Sequence, residues 1–177
     1  MKRDKKGRTD NPLRTNIARL LREERRSRGI RHQDMAKLLH AAPGEGLAYR
    51  TYIRTVERRN NITLTTLEHM AQALGLSIAD FLAGQADIET WAHRLDANSI
   101  LARLGQIINN QRKQRDLFCY QMAELLGVSE ATFTKLQRGT GNVSVDTIAA
   151  VANVLGRNPA TFLFCNDDCK PARMYSG

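Results

Sequence analysis

The sequence contains few of the residues on which several protein classes depend. Aromatic residues make up 6 % of the chain and there is one Trp, which argues against stacking platforms for single-stranded nucleic acid. Three cysteines (Cys119, Cys165 and Cys169) are too few, and odd in number, for a disulfide framework, so we expect reduced thiols. No apolar run approaches the roughly 18 residues of a membrane-spanning helix, so no membrane association is predicted.

Signals for export and catalysis are also missing. The opening residues MKRDKKGR are not followed by an apolar segment, so no secretory signal is expected and the protein is predicted to be cytoplasmic. The four histidines form no local motif with cysteine or carboxylate residues, and Cys165 and Cys169 lack a second ligand pair. No phosphate-binding glycine loop or nucleophile elbow is present. We therefore expect no enzyme, no metal and no cofactor.

Basic residues, in contrast, are in excess. The 177 residues include 27 Lys and Arg against 18 Asp and Glu, a net charge of +9. Residues 1–84 hold 17 basic and 9 acidic side chains, whereas residues 85–177 hold 10 and 9. Apolar residues make up 42 %, enough for a packed core. The composition predicts a globular protein with an anionic partner, and the charge favours the first half as the part that binds it.

An internal repeat organises the chain. DMAKLLH (Asp34–His40) is similar to QMAELLG (Gln121–Gly127), 87 residues later. ITLTTLEHMAQALGLSIADFL (Ile62–Leu82) matches VSVDTIAAVANVLGRNPATFL (Val143–Leu163) at an offset of 81. Similar segments that recur in the same order, at offsets of 87 and 81, are typical of tandem duplication. The apolar residues follow a helical period and no segment alternates like a strand, so an all-α chain is predicted.

Five short helices are predicted in each repeat. Asn11 is expected to cap the first helix, with Pro12 at its first position, and Ser99 to cap the corresponding helix of the second repeat. The fifth helices are expected to begin at Ser77 and at Asn158.

The pattern divides the chain into five parts: a basic N-terminal arm (1–11), a first domain (12–84, the first unit), a connector (85–98), a second domain (99–165, the second unit) and a C-terminal tail (166–177). Ile88, Trp91 and Leu95 lie on one face of the connector, which predicts a short packed helix with Trp91 in the core between the units; contact with a partner is the alternative for Trp91.

The sequence LFCYQMAELLGVSEATFTKLQRG (Leu117–Gly139) predicts two helices joined by a short turn, with Gly127 ending the first and Ser129 capping the second. This segment resembles the phage-repressor or Cro-type (XRE-like) helix-turn-helix family. The first unit is similar, and together the units cover about 150 of the 177 residues. The resemblance implies two tandem five-helix, lambda-repressor-like domains.

In that family the third helix enters the major groove of DNA, while the start of the second helix and the residues after the third hold phosphates. For the second unit the resemblance implies a set of outward residues, Glu130, Ala131, Thr132, Thr134 and Lys135, with Arg138 and Asn142 near the DNA backbone. For the first unit, aligning Ile53 with Phe133 and Val56 with Leu136 gives Arg50, Thr51, Tyr52, Arg54 and Thr55 as outward residues, with Arg58 and Arg59 at the phosphate end. Arginine suits base recognition because its planar fork donates two hydrogen bonds to guanine; a merely solvated helix face is the alternative for Arg50 and Arg54.

The sequence departs from the family pattern in two places. The turn between the second and third helices of the first unit is about seven residues longer and includes HAAPGEGL (His40–Leu47); it either contacts DNA or a partner, or is a tolerated surface insertion. The glutamine usual at the start of the second helix is replaced by His32 and by Cys119. The neighbours of His32, Arg31 and Gln33, have side chains that can bind a phosphate or a base edge. The neighbours of Cys119, Phe118 and Tyr120, are less suited to such contacts.

The N-terminal arm supplies further basic side chains, including Lys5, Lys6 and Arg8, and Arg14 follows them. Arms of this kind wrap the duplex or enter its minor groove. A solvated tail is the alternative interpretation.

Taken together, these patterns predict a sequence-specific, double-stranded-DNA-binding transcriptional regulator, a repressor by resemblance, with the first domain as the main reader. Either one chain spans two unlike half-sites, or the second unit dimerises and a homodimer reads a palindrome. The rival hypothesis is a protein-interaction module, such as an antiactivator or antitoxin, that binds a partner protein.

Overall fold

The computed structural model describes residues 11–40 and 47–165. Their regular elements are all helical: α1 (Pro12–Ser27), α2 (His32–His40), α3 (Tyr49–Val56), α4 (Leu64–Leu74), α5 (Ile78–Ala83), a 3₁₀ helix (Thr90–Arg94), α6 (Ala97–Gln114), α7 (Cys119–Leu126), α8 (Glu130–Gln137) and α9 (Val145–Val154). The predicted all-α class is confirmed for these residues, whose one extended pairing is an isolated bridge between Thr63 and Ser144.

Capping side chains set most helix starts. Asn11 caps α1 by accepting a hydrogen bond from the Leu13 amide at 2.9 Å, as predicted. Ser77 and Asp80 form a reciprocal capping box at the start of α5. The predicted cap at Ser99 is wrong, because the cap lies three residues earlier, at Asp96, whose carboxylate accepts from the Ser99 amide at 2.7 Å. Ser99 therefore lies within the first turn.

The second unit lacks the predicted fifth helix. The Asn158 carbonyl accepts hydrogen bonds from both the Thr161 and Phe162 amides, and the Asn158 side chain accepts from Ala160. These bonds close a single turn and do not continue into a run of helical hydrogen bonds. Residues 159–164 are consequently turns, although Phe162, Leu163 and Phe164 are as buried as the apolar residues of α5.

The connector is packed, as a 3₁₀ helix and not an α-helix. The indole N–H of Trp91 donates to Glu89 at 2.8 Å, and the Arg103 guanidinium of α6 lies 4.6 Å from the centre of the Trp91 ring. Ile88 and Leu95 are half-buried against the core. Trp91 thus ties the connector to the second unit.

One continuous hydrophobic core runs through both units. Leu13, Ile17 and Leu21 on α1 are fully buried, and so are the residues 87 positions later on α6: Ile100, Leu104 and Ile108. The stripe spacing that predicted these helices also predicted their buried faces.

Much of the basic excess in the first unit serves the fold. Three arginines of α1 and Arg28, which caps its C-terminus, donate to backbone carbonyls at helix ends and turns: Arg14 to Arg58, Arg22 to Val56, Arg25 to Ile30 and Arg28 to Leu74. Carbonyls at a helix C-terminus have no partner within the helix, so cationic donors satisfy them. Arg14, expected beside the basic arm, also forms an ion pair with Asp146 of the second unit.

Candidate nucleic-acid interface

α7 and α8 form the predicted helix-turn-helix. Gly127 ends α7 with a left-handed backbone, φ 66°, which glycine adopts without steric penalty. Ser129 caps α8 by accepting from the Thr132 amide at 3.2 Å. Phe133 and Leu136 point into the core, so the opposite face of α8 is turned to solvent.

The predicted outward residues of the second unit are all exposed: Glu130, Ala131, Thr132, Thr134, Lys135, Arg138 and Asn142. Their outward orientation is confirmed, while their contact with DNA stays a prediction. The Thr134 hydroxyl donates to the Glu130 carbonyl at 2.9 Å within the helix. Thr132 and Lys135, one turn apart, leave polar groups on the outer face.

In α3 the predicted register is wrong by one residue. Tyr52 and Thr55, expected to face outward, are 0 % and 4 % exposed. The Tyr52 ring fills the core and its hydroxyl lies 3.2 Å from His32 Nδ1, while the Thr55 hydroxyl donates to the Thr51 carbonyl at 2.8 Å. Both polar groups therefore have partners inside the protein, and neither side chain faces solvent.

The corrected register makes the two candidate recognition helices more alike. α3 and α8 both have eight residues, and matching their first residues sets Tyr52 opposite Phe133. The outer positions then pair Thr51 with Thr132 and, one turn later, a basic residue with a basic residue: Arg54 with Lys135. Arg50 and Arg54 are exposed, as predicted, and Thr51 is half-buried.

The start of α2 carries a largely exposed cation, Arg31. The Arg31 side chain is 81 % exposed and pairs with Asp34 at 3.0 Å, and this hydrogen bond lowers the pKa of Asp34. Gln33 is exposed as well. His32 instead turns toward α3, where burial, and to a smaller degree the charge of Arg25, lower its pKa. Arg31 and Gln33 remain candidates for phosphate contact, while His32 joins α2 to α3.

The corresponding positions of α7 are aromatic. Phe118 and Tyr120 are exposed and stack on each other, with ring centres 5.9 Å apart and planes within 8°. Cys119 between them is also exposed. The start of α7 therefore presents an apolar surface where α2 presents polar side chains.

The residues after α3 are only partly available. Arg58 has a left-handed backbone, φ 61°, and is half-buried, and its carbonyl accepts from Arg14. Arg59 is exposed and pairs with Glu57 at 3.4 Å. Arg59 thus offers a freer guanidinium to a phosphate than Arg58 does.

Two glycines that sequence reasoning did not single out bring α6 against α8. A Cβ at Gly105 would lie 2.7 Å from the Leu136 carbonyl oxygen, and one at Gly139 would lie 2.8 Å from the Ala102 Cα. The signal was available, because a glycine inside the apolar stripe of a helix indicates close backbone approach. Gly105 and Gly139 fix where α8 sits on its domain.

Some predicted elements lie outside the described residues: Lys5, Lys6 and Arg8 of the arm, residues 41–46 of the long turn, and Cys169. Within the described ranges no group of His, Cys, Asp and Glu side chains is arranged to hold a metal ion. No helix in those ranges is long and apolar enough to cross a membrane.

Comparison with known proteins bears on the second unit. No curated protein and no solved structure matches the chain. One family model does match, described as a Cro/C1-type HTH DNA-binding domain, and it covers residues 108–168. The matched range includes all of α7, α8 and α9. The chain therefore contains a region similar to the Cro/C1-type helix-turn-helix DNA-binding domain.

Proposed function

We propose that the protein is a sequence-specific, double-stranded-DNA-binding transcriptional regulator. The observation that carries the proposal is the exposed outer face of α8, presented by a helix-turn-helix within the region that matches a DNA-binding family. A helix held in this way is the element that enters the major groove. Repression, which the family resemblance implies, and the lack of catalytic activity, which the sequence predicts, belong to the proposal.

We further propose that the first unit is a second helix-turn-helix and the main DNA reader. Its α3 presents Arg50 and Arg54 to solvent, and Arg31 stands exposed at the start of α2. α8 presents one basic residue, Lys135, and also Glu130, whose charge opposes the DNA backbone. The first unit is therefore better equipped for guanine recognition and for phosphates.

Selection from random duplexes, followed by footprinting, tests both parts. The wild-type chain is expected to enrich one sequence motif. Arg50→Ala/Arg54→Ala should weaken binding to that motif at least tenfold, because each good bidentate contact to guanine is worth about 1–3 kcal/mol. Thr132→Ala/Lys135→Ala should weaken it less and relax only part of the motif.

The matched control removes the same charge elsewhere. Arg94→Ala/Arg157→Ala deletes two arginines that belong to neither α3 nor α8, one in the connector and one in the segment after α9. An equal loss of DNA binding in this control would mean that the Arg50→Ala/Arg54→Ala effect comes from net charge alone. The lack of any enriched motif would refute the regulator, and greater loss from the α8 pair would make the second unit the main reader.

The exposed aromatic pair favours a second candidate, a protein-interaction module. Phe118 and Tyr120 stack in solvent and Leu125 is also exposed, and apolar surface of this kind is typical of protein contacts. This function predicts capture of a partner protein that persists at high salt and is lost in Phe118→Ser/Tyr120→Ser. DNA binding, in contrast, falls steeply with salt.

A further inference from the structure

The two units join through residues at matching positions of the repeat. The Leu64 amide donates to the Val143 carbonyl, and the Val145 amide donates to the Ile62 carbonyl, both at 2.9 Å. At the offset of 81, Ile62 corresponds to Val143 and Leu64 to Val145. A two-fold rotation therefore converts each bond into the other, which is the signature of a self-complementary dimer contact.

Contacts around the bridge follow the same rule. The Asp146 amide donates to the Asn61 side-chain oxygen at 3.1 Å, and at the matching positions the Thr65 hydroxyl donates to the Asn142 side-chain oxygen at 3.2 Å. The helices cross likewise, since α1 packs on α9 and α6 packs on α4. The joint has the form of an interface between two copies, formed within one chain.

The symmetry is broken at the edges of the joint. On one side Asp146 accepts from the Asn11 amide group at 2.7 Å and pairs with Arg14. On the other side Glu68 accepts from the Ala97 amide at 3.0 Å. These unlike contacts favour the pairing of one unit with the other over the pairing of either unit with itself.

The joint limits how far the ends of both candidate recognition helices lie from the two-fold axis. Seven residues lead from Val56 at the end of α3 to Thr63 in the bridge, and seven lead from Gln137 at the end of α8 to Ser144. Seven residues span at most about 25 Å, so each helix ends within that distance of the axis. Half-sites one turn of DNA apart, about 34 Å, lie within this reach.

We infer that one chain acts as its own dimer and reads an inverted repeat, with α3 in one half-site and α8 in the other. The inference rests on the proposed DNA binding. The half-sites share features set by Thr51 and Thr132, and differ where Arg50 faces one and Ala131 the other.

A disulfide between the units tests the arrangement directly. Thr63 and Ser144 are the non-hydrogen-bonded pair of the antiparallel bridge, and such pairs have Cα atoms about 4.5 Å apart, near the lower limit for a disulfide. Thr63→Cys/Ser144→Cys is made in a chain whose native cysteines are replaced by serine. The same protein under reducing conditions is the matched control.

Four results are expected. The cysteine pair closes within a single chain, and wild-type selection yields an inverted repeat with two dissimilar halves. Light scattering finds one chain per duplex. The oxidised and reduced proteins bind the selected duplex with affinities within threefold, because locking the joint changes nothing that DNA requires.

The contrary results separate the two proposals. A motif without inverted symmetry, two chains per duplex, cysteines that fail to pair within one chain, or a tenfold loss of binding on oxidation overturns the internal dimer and leaves DNA binding standing. Two chains per duplex would support the homodimer instead. Failure of the wild-type chain to enrich any sequence overturns the proposed function and this inference with it. The symmetry and stoichiometry measurements use the wild-type chain, so they hold even if the cysteine variant folds poorly.

Discussion

At the scale of single residues, Tyr52 shows how a helix is oriented when two apolar neighbours compete for the core. Tyr52 and Ile53 are adjacent on α3, and the pattern of apolar positions alone is compatible with the burial of either side chain. Tyr52 is the buried one because its ring fills the larger volume while its hydroxyl meets His32 Nδ1 at 3.2 Å. A buried phenol with a partner retains the full benefit of its apolar area.

Truncating Tyr52 should therefore destabilise the protein far more than truncating the exposed Tyr49 on the same helix. Tyr52→Ala is expected to lower the free energy of unfolding by about 3–5 kcal/mol because it leaves a cavity. Tyr52→Phe, which removes only the hydroxyl, should lower it by about 1 kcal/mol. Urea denaturation followed by circular dichroism measures both, and Tyr49→Ala should stay within about 0.5 kcal/mol of wild type. A larger decrease in the free energy of unfolding for Tyr49→Ala would instead support the register predicted from sequence, in which Ile53 is aligned with Phe133.

His32 should make stability fall in mild acid. Burial, then Arg25, hold its pKa in the folded protein below the usual value of 6.5. As the pH decreases from 7 toward 5, the unfolded chain takes up a proton at His32 more readily than the folded chain does, so the free energy of unfolding decreases. Urea denaturation at both pH values should show a smaller decrease in His32→Gln. His40→Gln, at an exposed histidine of the same helix, should retain the wild-type decrease, and an unchanged decrease in His32→Gln would contradict the assignment.

At the scale of elements, local capping is read well from sequence and close packing is not. Asn11 and Ser77 were identified as caps because a cap needs only residues within one turn. The fifth helix of the second unit was expected on the same kind of signal at Asn158. It forms one turn only, and its apolar residues are buried without helical hydrogen bonding.

Gly105 determines the separation of α6 from α8. Gly105→Ala would set a Cβ 2.7 Å from the Leu136 carbonyl oxygen, so α8 has to move away and stability should fall by about 1–3 kcal/mol. DNA binding by the second unit should weaken as well, because the same movement displaces α8. Thermal denaturation measures the change in stability, and titration with the selected duplex measures the change in DNA binding.

Gln106→Ala, an exposed change at the next position of α6, is the control and should be neutral or slightly stabilising. The first unit has Ala18 at the matching position, fully buried. If Gly105→Ala were as stable as wild type, the α6–α8 contact would not be tight.

At the scale of the whole molecule, basic side chains either stabilise the fold or remain exposed for a partner, and composition does not distinguish the two. The basic excess of the first half suggested an anionic partner. In the fold, Arg14, Arg22, Arg25 and Arg28 hold carbonyls or the second unit. The arginines left on the outer face of α3 are the better candidates for DNA.

The ion pair between Arg14 and Asp146 should couple the units measurably. Its side chains are 12 % and 25 % exposed, so solvent screens the pair incompletely. A double-mutant cycle with Arg14→Ala and Asp146→Ala is expected to give a coupling free energy of about 2 kcal/mol, as for hydrogen bonds to charged groups. The exposed pair of Arg19 and Glu23 on α1 is the control, with about 0.5 kcal/mol or less. Equal coupling in the two cycles would mean that the inter-unit pair adds nothing beyond a surface contact.

The sequence by itself determined the helical class, the positions of α1, α2, α4, α6, α7 and α9 within a few residues, and the outward face of α8. Each depends on interactions within a few turns: periodic apolar residues, capping side chains and the left-handed Gly127. The rotation of α3, the use of the arginines on α1 and the joint between the units were decided by the tertiary structure. These features rest on contacts between residues far apart in the chain, such as Tyr52 with His32 and Leu64 with Val143, and no local pattern contains the information about which distant groups meet.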